Sequence, residues 1–318
     1  MRIPGSRSRL NWQQLLIPGV ALIALYVLIP QIGGFHHSIT LLRHVDFWGV
    51  AAATIFVMAT YLAAAGTYFA IALHPIRYWR TVLVQVAGMF VNRLLPAGIG
   101  ALGSNFAYLR TQKHSPAQAG AVVAMNNGLG LTGHALVLGS ALLLWRDHLP
   151  PVQFSHGNSR IAWVAALGIG LLLVAVFSVP VWRQRLSRAF TSFAGQFLRF
   201  RERPLRLLMA QLSSIGLTLC NVLSLYYCVV AVHGSISFIT VLLVFTLGVG
   251  LGTATPTPGG LGGFEAGLVA GFVAYGMPAS EALAAALLYR LLSYWLAIGV
   301  GSVAFVYAQH RRVFGSAS

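Results

Sequence analysis

Thr255-Pro-Thr-Pro-Gly-Gly-Leu-Gly-Gly263, running into Phe264 and Glu265, places two prolines, four glycines and a carboxylate inside an otherwise apolar C-terminal third. A plain membrane helix tolerates none of these cheaply. Proline removes an intrahelical hydrogen bond, glycine weakens the helix, and an ionised side chain at the bilayer centre costs at least ~2.5–3.5 kcal/mol on insertion scales. A weaker copy, Leu95-Pro-Ala-Gly-Ile-Gly-Ala101, lies 162 residues earlier. At that offset Pro96 meets Pro258, Gly98 meets Gly260, Gly100 meets Gly262, and Pro116-Ala117 meets Pro278-Ala279. The matches fall on residues that dictate backbone geometry and on the start of the following span. Unpaired backbone is tolerated at membrane depth only where it is buried in protein or lines a wet cavity. The two stretches are therefore expected to be broken, re-entrant elements that face each other across a membrane, with the cargo or ligand between them.

Composition supports the membrane. The chain of 318 residues is 57% hydrophobic and 8% charged, whereas soluble domains are about 25% charged. Residues 10–36, 49–73, 161–182 and 207–232 carry no Asp, Glu, Lys or Arg, and each is long enough to cross ~30 Å of hydrocarbon as helix. The alternating short segments of a membrane β-barrel are absent. The formal net charge of +16 does not point to nucleic acid, because the cations cluster at the ends of apolar spans. Cytoplasmic positioning and anionic lipid headgroups account for them.

Charge placement orders the spans. Arg2, Arg7 and Arg9 precede a first, uncleaved span at about 11–31, which puts the N-terminus in the cytoplasm. A second span at about 48–73 returns to the basic 74–80 segment. The region 81–113, broken at 91–96, keeps Arg110 and Lys113 on the same side only if it is a hairpin. Ser115-Pro116 reads as an N-cap and first-turn proline opening a fourth span to about Trp145. A fifth span over 161–182 leads into a linker, 183–206, with seven arginines and one acid. Recurring phenylalanines make that linker read as an amphipathic helix on anionic lipid. Span six covers 207–232, a second broken region 236–275, and a last span 278–307 ending at Arg311 and Arg312. The expected architecture is a single all-α, polytopic transmembrane domain over 1–318. Repeat 1 covers about 10–146 and repeat 2 about 160–308, with about six full spans plus two broken re-entrant hairpins, eight or more membrane helices in all. Each half crosses an odd number of times, so the repeats are inverted, a pattern that points to a transporter's central site. Both termini are expected in the cytoplasm and the chain in the cell's inner (plasma) membrane.

The segment Pro258-Gly-Gly-Leu-Gly-Gly-Phe-Glu-Ala266, with Gly276-Met-Pro278, Ala282 and Leu288-Tyr-Arg-Leu-Leu292, resembles the second half of the lysylphosphatidylglycerol synthetase flippase-like transmembrane family. Asn92, Leu95-Pro96, Ile99-Gly100 and Ala107-Tyr-Leu-Arg110 look like its first-half motif. The resemblance spans nearly the whole chain and implies translocation of a lipid or lipid-linked substrate without the synthetic step. Two positions depart from the family pattern: Ala101-Leu102 stand where an acid often follows the first glycines, and Asn126-Asn127 where an acidic–Arg pair is common.

Seven side chains are candidate substrate ligands. Glu265, the acid of the broken motifs, is a counter-ion for an arginine or a cationic headgroup. Arg290, some twelve residues into the last span, is too deep to snorkel easily and suits Glu265 or a lipid phosphate. Arg93 and Asn92 would supply the phosphate ligand from the first break. Asn126 and Asn127, with His134 nearby, could line the cavity or bond between helices, and Tyr289, Ser293 and Tyr294 around Arg290 are similar cases, with ordinary packing the alternative for the tyrosines. Backbone breaks are expected at Pro96, Gly98, Gly100, Pro258, Gly260 and Gly262. No metal, cofactor or catalytic group is expected, since His36-His37 lacks partners at ligand spacing. The leading reading is a flippase-like transporter of an amphiphilic (phospho)lipid or lipid-linked substrate. The alternatives are a membrane-embedded enzyme using Glu265 on a lipid-linked donor, and an accessory subunit for a lipid-synthesising partner.

Overall fold

The structure, a computed structural model, describes residues 40–95, 99–145, 203–254, 257 and 259–314. The expected first and fifth spans, nearly all of the arginine-rich linker, and the breaks at Pro96, Gly98 and Pro258 lie outside these residues. Every regular element among the described residues is helical.

α1 (Phe47–Ile71) starts at Asp46, whose carboxylate accepts from the Gly49 amide at 2.6 Å. α2 (Tyr78–Leu94) and α3 (Ile99–Thr111) follow, and α4 (Pro116–Leu144) opens with a complete capping box between Ser115 and Gln118, with proline at its first turn. α5 (Pro204–Ala231), α6 (Phe238–Ala254) and α7 (Gly263–Ala274) lead to α8 (Ala279–Arg290). α8 passes through a π-helical turn, Leu291–Trp295, into α9 (Leu296–His310) without a break in the helix. Among the described residues, α1, α4, α5 and the continuous α8–α9 rod are long and apolar enough to cross a membrane. Large apolar side chains such as Ile55, Trp79, Leu131, Leu143 and Val303 are exposed around the bundle. That is the surface a lipid solvent requires.

α1 and α5 run antiparallel along their whole length. Gly49 lies against Ala231, the Phe56 and Tyr227 rings stack at 5.6 Å, and Gly66 meets Ser213. The Ser214 hydroxyl donates to the Leu129 carbonyl and Thr132 to Gln211, tying α5 to α4. One end of the bundle thereby gathers Arg77, Arg80, Arg110, Lys113, Arg203 and the end of α9, where Thr111 donates to the Val313 carbonyl at 3.1 Å. The other end holds Arg43, Asp46, His233 and Glu281, with the Asp46 amide bonded to Ala231.

The two interrupted regions are each an antiparallel helix pair. In α2–α3 the seam is polar. Thr81 bonds Tyr108 at 3.2 Å, Gln85 donates to Asn105 at 2.7 Å, and Gly88 faces Ser104. In α6–α7 the seam is glycine: Gly271 on Val244, Gly267 on Gly248 and Gly252 on Phe264, each so close that a Cβ would sit 2.9–3.0 Å from the neighbour. Such small residues let backbones approach where apolar burial supplies no drive. With 17, 13, 17 and 12 residues, α2, α3, α6 and α7 are about 18–25 Å long at ~1.5 Å per residue, shorter than ~30 Å of hydrocarbon. α2–α3 opens toward the arginine-rich end. α6–α7 opens toward the opposite end, where Gly234 packs on Met277 beyond α7.

Candidate functional site

The tips of the two helix pairs converge on the π turn of the long rod. Arg93 stands one residue before the end of α2, about 22 Å from that helix's start, and Arg290 about 17 Å from the start of α8, at ~1.5 Å per residue. They enter from opposite ends and so meet near the middle of the bundle. Both guanidinium groups lie over the ring of Tyr294, Arg93 at 4.9 Å and Arg290 at 5.5 Å from its centroid.

Local sequence builds this meeting point. Gly259, Gly260 and Gly262 all have positive φ, +62°, +68° and +88°, a conformation that glycine adopts without penalty. Their backbone curls so that the Gly259 and Gly260 carbonyls each accept from Arg290 at 3.2 Å. A Cβ on Gly260 would lie 2.6 Å from the Gly252 carbonyl oxygen, and one on Gly259 would enter the Tyr294 ring. Glu265 in the first turn of α7 accepts from the Gly262 amide at 2.8 Å, capping the half-helix. Its carboxylate pairs with Arg290, Nε to Oε1 at 2.6 Å and a terminal nitrogen to Oε2 at 3.2 Å. The pair is buried, with side-chain exposures of 7% and 11%. Phe264 covers the Arg290 plane at 4.5 Å and stacks on Tyr289 at 5.9 Å, while Tyr289 donates to Asn221. Arg290 therefore has a carboxylate, two carbonyls and two aromatic faces against it, and Glu265 balances its charge.

The first break is arranged differently. Asn92 Oδ1 accepts from the Ala101 amide at 3.2 Å, so a neutral side chain caps α3. Gly100 packs directly on the Val91–Asn92 backbone, where a Cβ would lie at 2.5 Å. Arg93 donates to the Ser293 carbonyl at 3.0 Å, and the Tyr294 hydroxyl donates to the Arg93 carbonyl at 3.3 Å. A π turn widens a helix and loosens its carbonyl ladder, which suits Ser293 to accept from outside. Arg93 makes no ion pair among the described residues, and its enclosed Nε has no hydrogen-bond partner.

Of the sequence candidates, Arg93, Asn92, Glu265, Arg290 and Tyr289 thus gather around the two breaks. Asn126 and Asn127 sit apart on α4, the first half-buried and the second exposed. His134 lies 6.2 Å from the Phe245 ring, its Nε2 enclosed. Phe264 and Asn221 were not among the residues the sequence singled out, and Ser293 and Tyr294 were singled out only as neighbours of Arg290. The signal for Tyr294 was its i+4 spacing from Arg290, which stacks the two on one helix face, and for Phe264 its place beside Glu265. Among the described residues no three metal-ligating side chains cluster.

The family profile described as lysylphosphatidylglycerol synthase TM region matches residues 15–301. A UPF0104 membrane protein of Pyrococcus horikoshii is 30% identical over 121 residues, 38% of this chain and 36% of that protein. Another UPF0104 membrane protein, from Methanothermobacter thermautotrophicus, is 32% identical over 85 residues, 27% of this chain and 25% of that one. The matched segments span about a third or less of these curated relatives.

Proposed function

We propose that this chain, an integral multi-pass membrane protein that belongs to the lysylphosphatidylglycerol synthase TM-region family, translocates an amphiphilic lipid or lipid-linked substrate across the bilayer. The observation that carries the reading is the convergence of two short antiparallel helix pairs, entering from opposite ends, on half-buried Arg93 and the buried Glu265–Arg290 pair. A half-helix of 12 or 13 residues that ends in mid-bundle is too short to span and leaves backbone to be satisfied there. Arg290, Asn92 and Glu265 satisfy it. On this reading the pairs are re-entrant, and with their flanking spans they form inverted repeats whose interface is the cargo path. The basic end faces the cytoplasm of the plasma membrane, and both termini lie on that side.

The cargo's polar head passes between the hairpins while its tails stay in lipid. The chain moves its substrate unchanged: both oxygens of Glu265, the acid an enzyme would need here, are engaged by Arg290 and the Gly262 amide. In proteoliposomes carrying fluorescent or dithionite-quenchable lipids, the purified chain accelerates transbilayer movement of at least one anionic, aminoacylated or polyprenyl-linked lipid, and Gly260→Ala, which cannot form the second break, abolishes that acceleration. Rates equal to those of empty vesicles for all three lipid classes would overturn the reading. Chemical modification of the lipid by the purified chain, lost in Glu265→Gln, would favour the enzyme instead.

A further inference from the structure

The two central arginines are electrostatically unequal. Arg290 has a carboxylate, two carbonyls and two ring faces, so a ligand that engaged it would first have to break those bonds. Arg93 has one carbonyl and one ring face, and its buried Nε makes neither a hydrogen bond nor an ion pair, whereas that of Arg290 lies 2.6 Å from the Glu265 carboxylate. Among the described residues no carboxylate pairs with it. Arg93, Arg290 and Glu265 together leave one positive charge at the meeting point. A charge partly withdrawn from solvent without a counter-ion is unfavourable, and a guanidinium fork with free donors matches a phosphate or carboxylate oxygen pair.

We propose that Arg93 is the anion-binding residue of the cargo path, that it takes one negative charge, and that the group bound is a phosphodiester. Tyr294 holds the guanidinium plane, and Ser293 fixes one terminal nitrogen, leaving Nε and the remaining N–H groups for the phosphate oxygens. A single phosphodiester charge neutralises the site, and the Glu265–Arg290 pair stays closed while it binds. Arg290 is then a positioning residue that shapes the second break. The proposal rests on the transport reading for the identity of the phosphate's carrier, but the binding of the anion can be tested without transport.

The test uses the full chain in detergent and in vesicles. Dioctanoyl phosphatidylglycerol raises the unfolding midpoint of the wild-type chain, and dioctanoylglycerol, which lacks the phosphate, does not. Arg93→Gln weakens the lipid's apparent affinity about ten- to a hundredfold, the range for a charged hydrogen-bonding group. Should that variant not fold, Arg93→Lys decides the matter. It keeps the charge and loses the fork, so a clear weakening supports the proposal and unchanged affinity overturns it. Equal protection by the two lipids, or protection that ignores Arg93, also overturns it. Sodium phosphate against sodium chloride at equal ionic strength separates the sources. An Arg93-dependent shift from phosphate alone, with no more from the lipid, keeps the anion site and assigns it to free phosphate. An Arg93-dependent lipid shift without transbilayer movement keeps the site and sinks the transport reading.

Discussion

The two helix breaks solve one problem in opposite ways. In the second, backbone freed by Gly259–Gly262 is met by charge: Glu265 caps α7, Arg290 caps the glycine carbonyls, and the two neutralise each other. In the first, a neutral Asn92 caps α3 and the adjacent arginine has no acid. The seams differ in the same sense, glycine against backbone in α6–α7 and side-chain hydrogen bonds in α2–α3. The second pair is thus a closed, charge-balanced unit whose geometry tolerates almost no added atom. The first is held by polar contacts that can re-form and carries the unbalanced charge. Tight backbone packing and unbalanced charge are divided between the two hairpins.

The sharpest way to break this comparison is to remove one charge from the closed unit. Glu265→Gln leaves Arg290 buried without its counter-ion, and removing one partner of a buried pair costs about 3–5 kcal/mol. The matching change in the first break, Asn92→Ala, removes one cap bond and costs about 1 kcal/mol. Denaturant titration of both variants in a single mixed micelle measures the difference. Equal losses would mean that the two breaks are equivalent after all.

Alanine at the glycines sharpens it further. Gly260→Ala puts a Cβ 2.6 Å from the Gly252 carbonyl at a φ of +68°, so it suffers both collision and a left-handed backbone worth about 1–2 kcal/mol. Gly100→Ala meets a comparable collision at 2.5 Å but lies in α3, where alanine gains about 1 kcal/mol of helix propensity over glycine. Gly260→Ala is expected to be the worse of the two by about 2 kcal/mol in the same titration. The reverse order would show that α2–α3 is the less forgiving pair.

Much of this arrangement was legible in the sequence, because proline and glycine are rare enough in apolar helices to announce a break. The described helices stop at Leu94 and Ala254 and resume at Ile99 and Gly263, around the two predicted interruptions, and Ser115-Pro116 opens α4 as its capping signal implied. The π turn was not legible. Leu291-Leu-Ser-Tyr-Trp295 contains no glycine, proline or charge, and the groups that contact it, Arg93 and Gly259, come from elements distant in the chain. Tyr294 stayed open between lining the cavity and ordinary packing. Asn126 and Asn127 illustrate a second limit. α4 is apolar on nearly every side, so no amphipathic face says which polar residue points inward, and adjacent residues on a helix face different ways.

The smallest expected effect tests the base of the first hairpin. Just beyond α3, His114 is almost fully buried and its Nε2 accepts from the Leu73 and His74 amides at 3.2 Å, while Nδ1 lies 3.1 Å from the Gln112 carbonyl. That pattern needs the neutral ring, because a protonated Nε2 cannot accept. Burial, reinforced by the neighbouring His74, holds the His114 pKa below the ordinary histidine value, against two backbone hydrogen bonds that act to raise it. In the unfolded chain the ring titrates near ~6.5. The folded state therefore binds fewer protons as pH falls below that point, and stability is complete above it and declines as pH drops toward the lower folded value. Arg110, which donates to the His114 carbonyl at 2.8 Å, and His74, bonded to Gln118, tie that ring to the start of α4. Unfolding midpoints of the wild-type chain are expected to fall between pH 7.5 and pH 5, with a shallower fall in His114→Asn, whose side chain cannot protonate in this range. Parallel slopes would mean that the first hairpin's base is insensitive to pH, and would leave the charge difference at the tips, Arg93 against Glu265–Arg290, as what separates the two hairpins electrostatically.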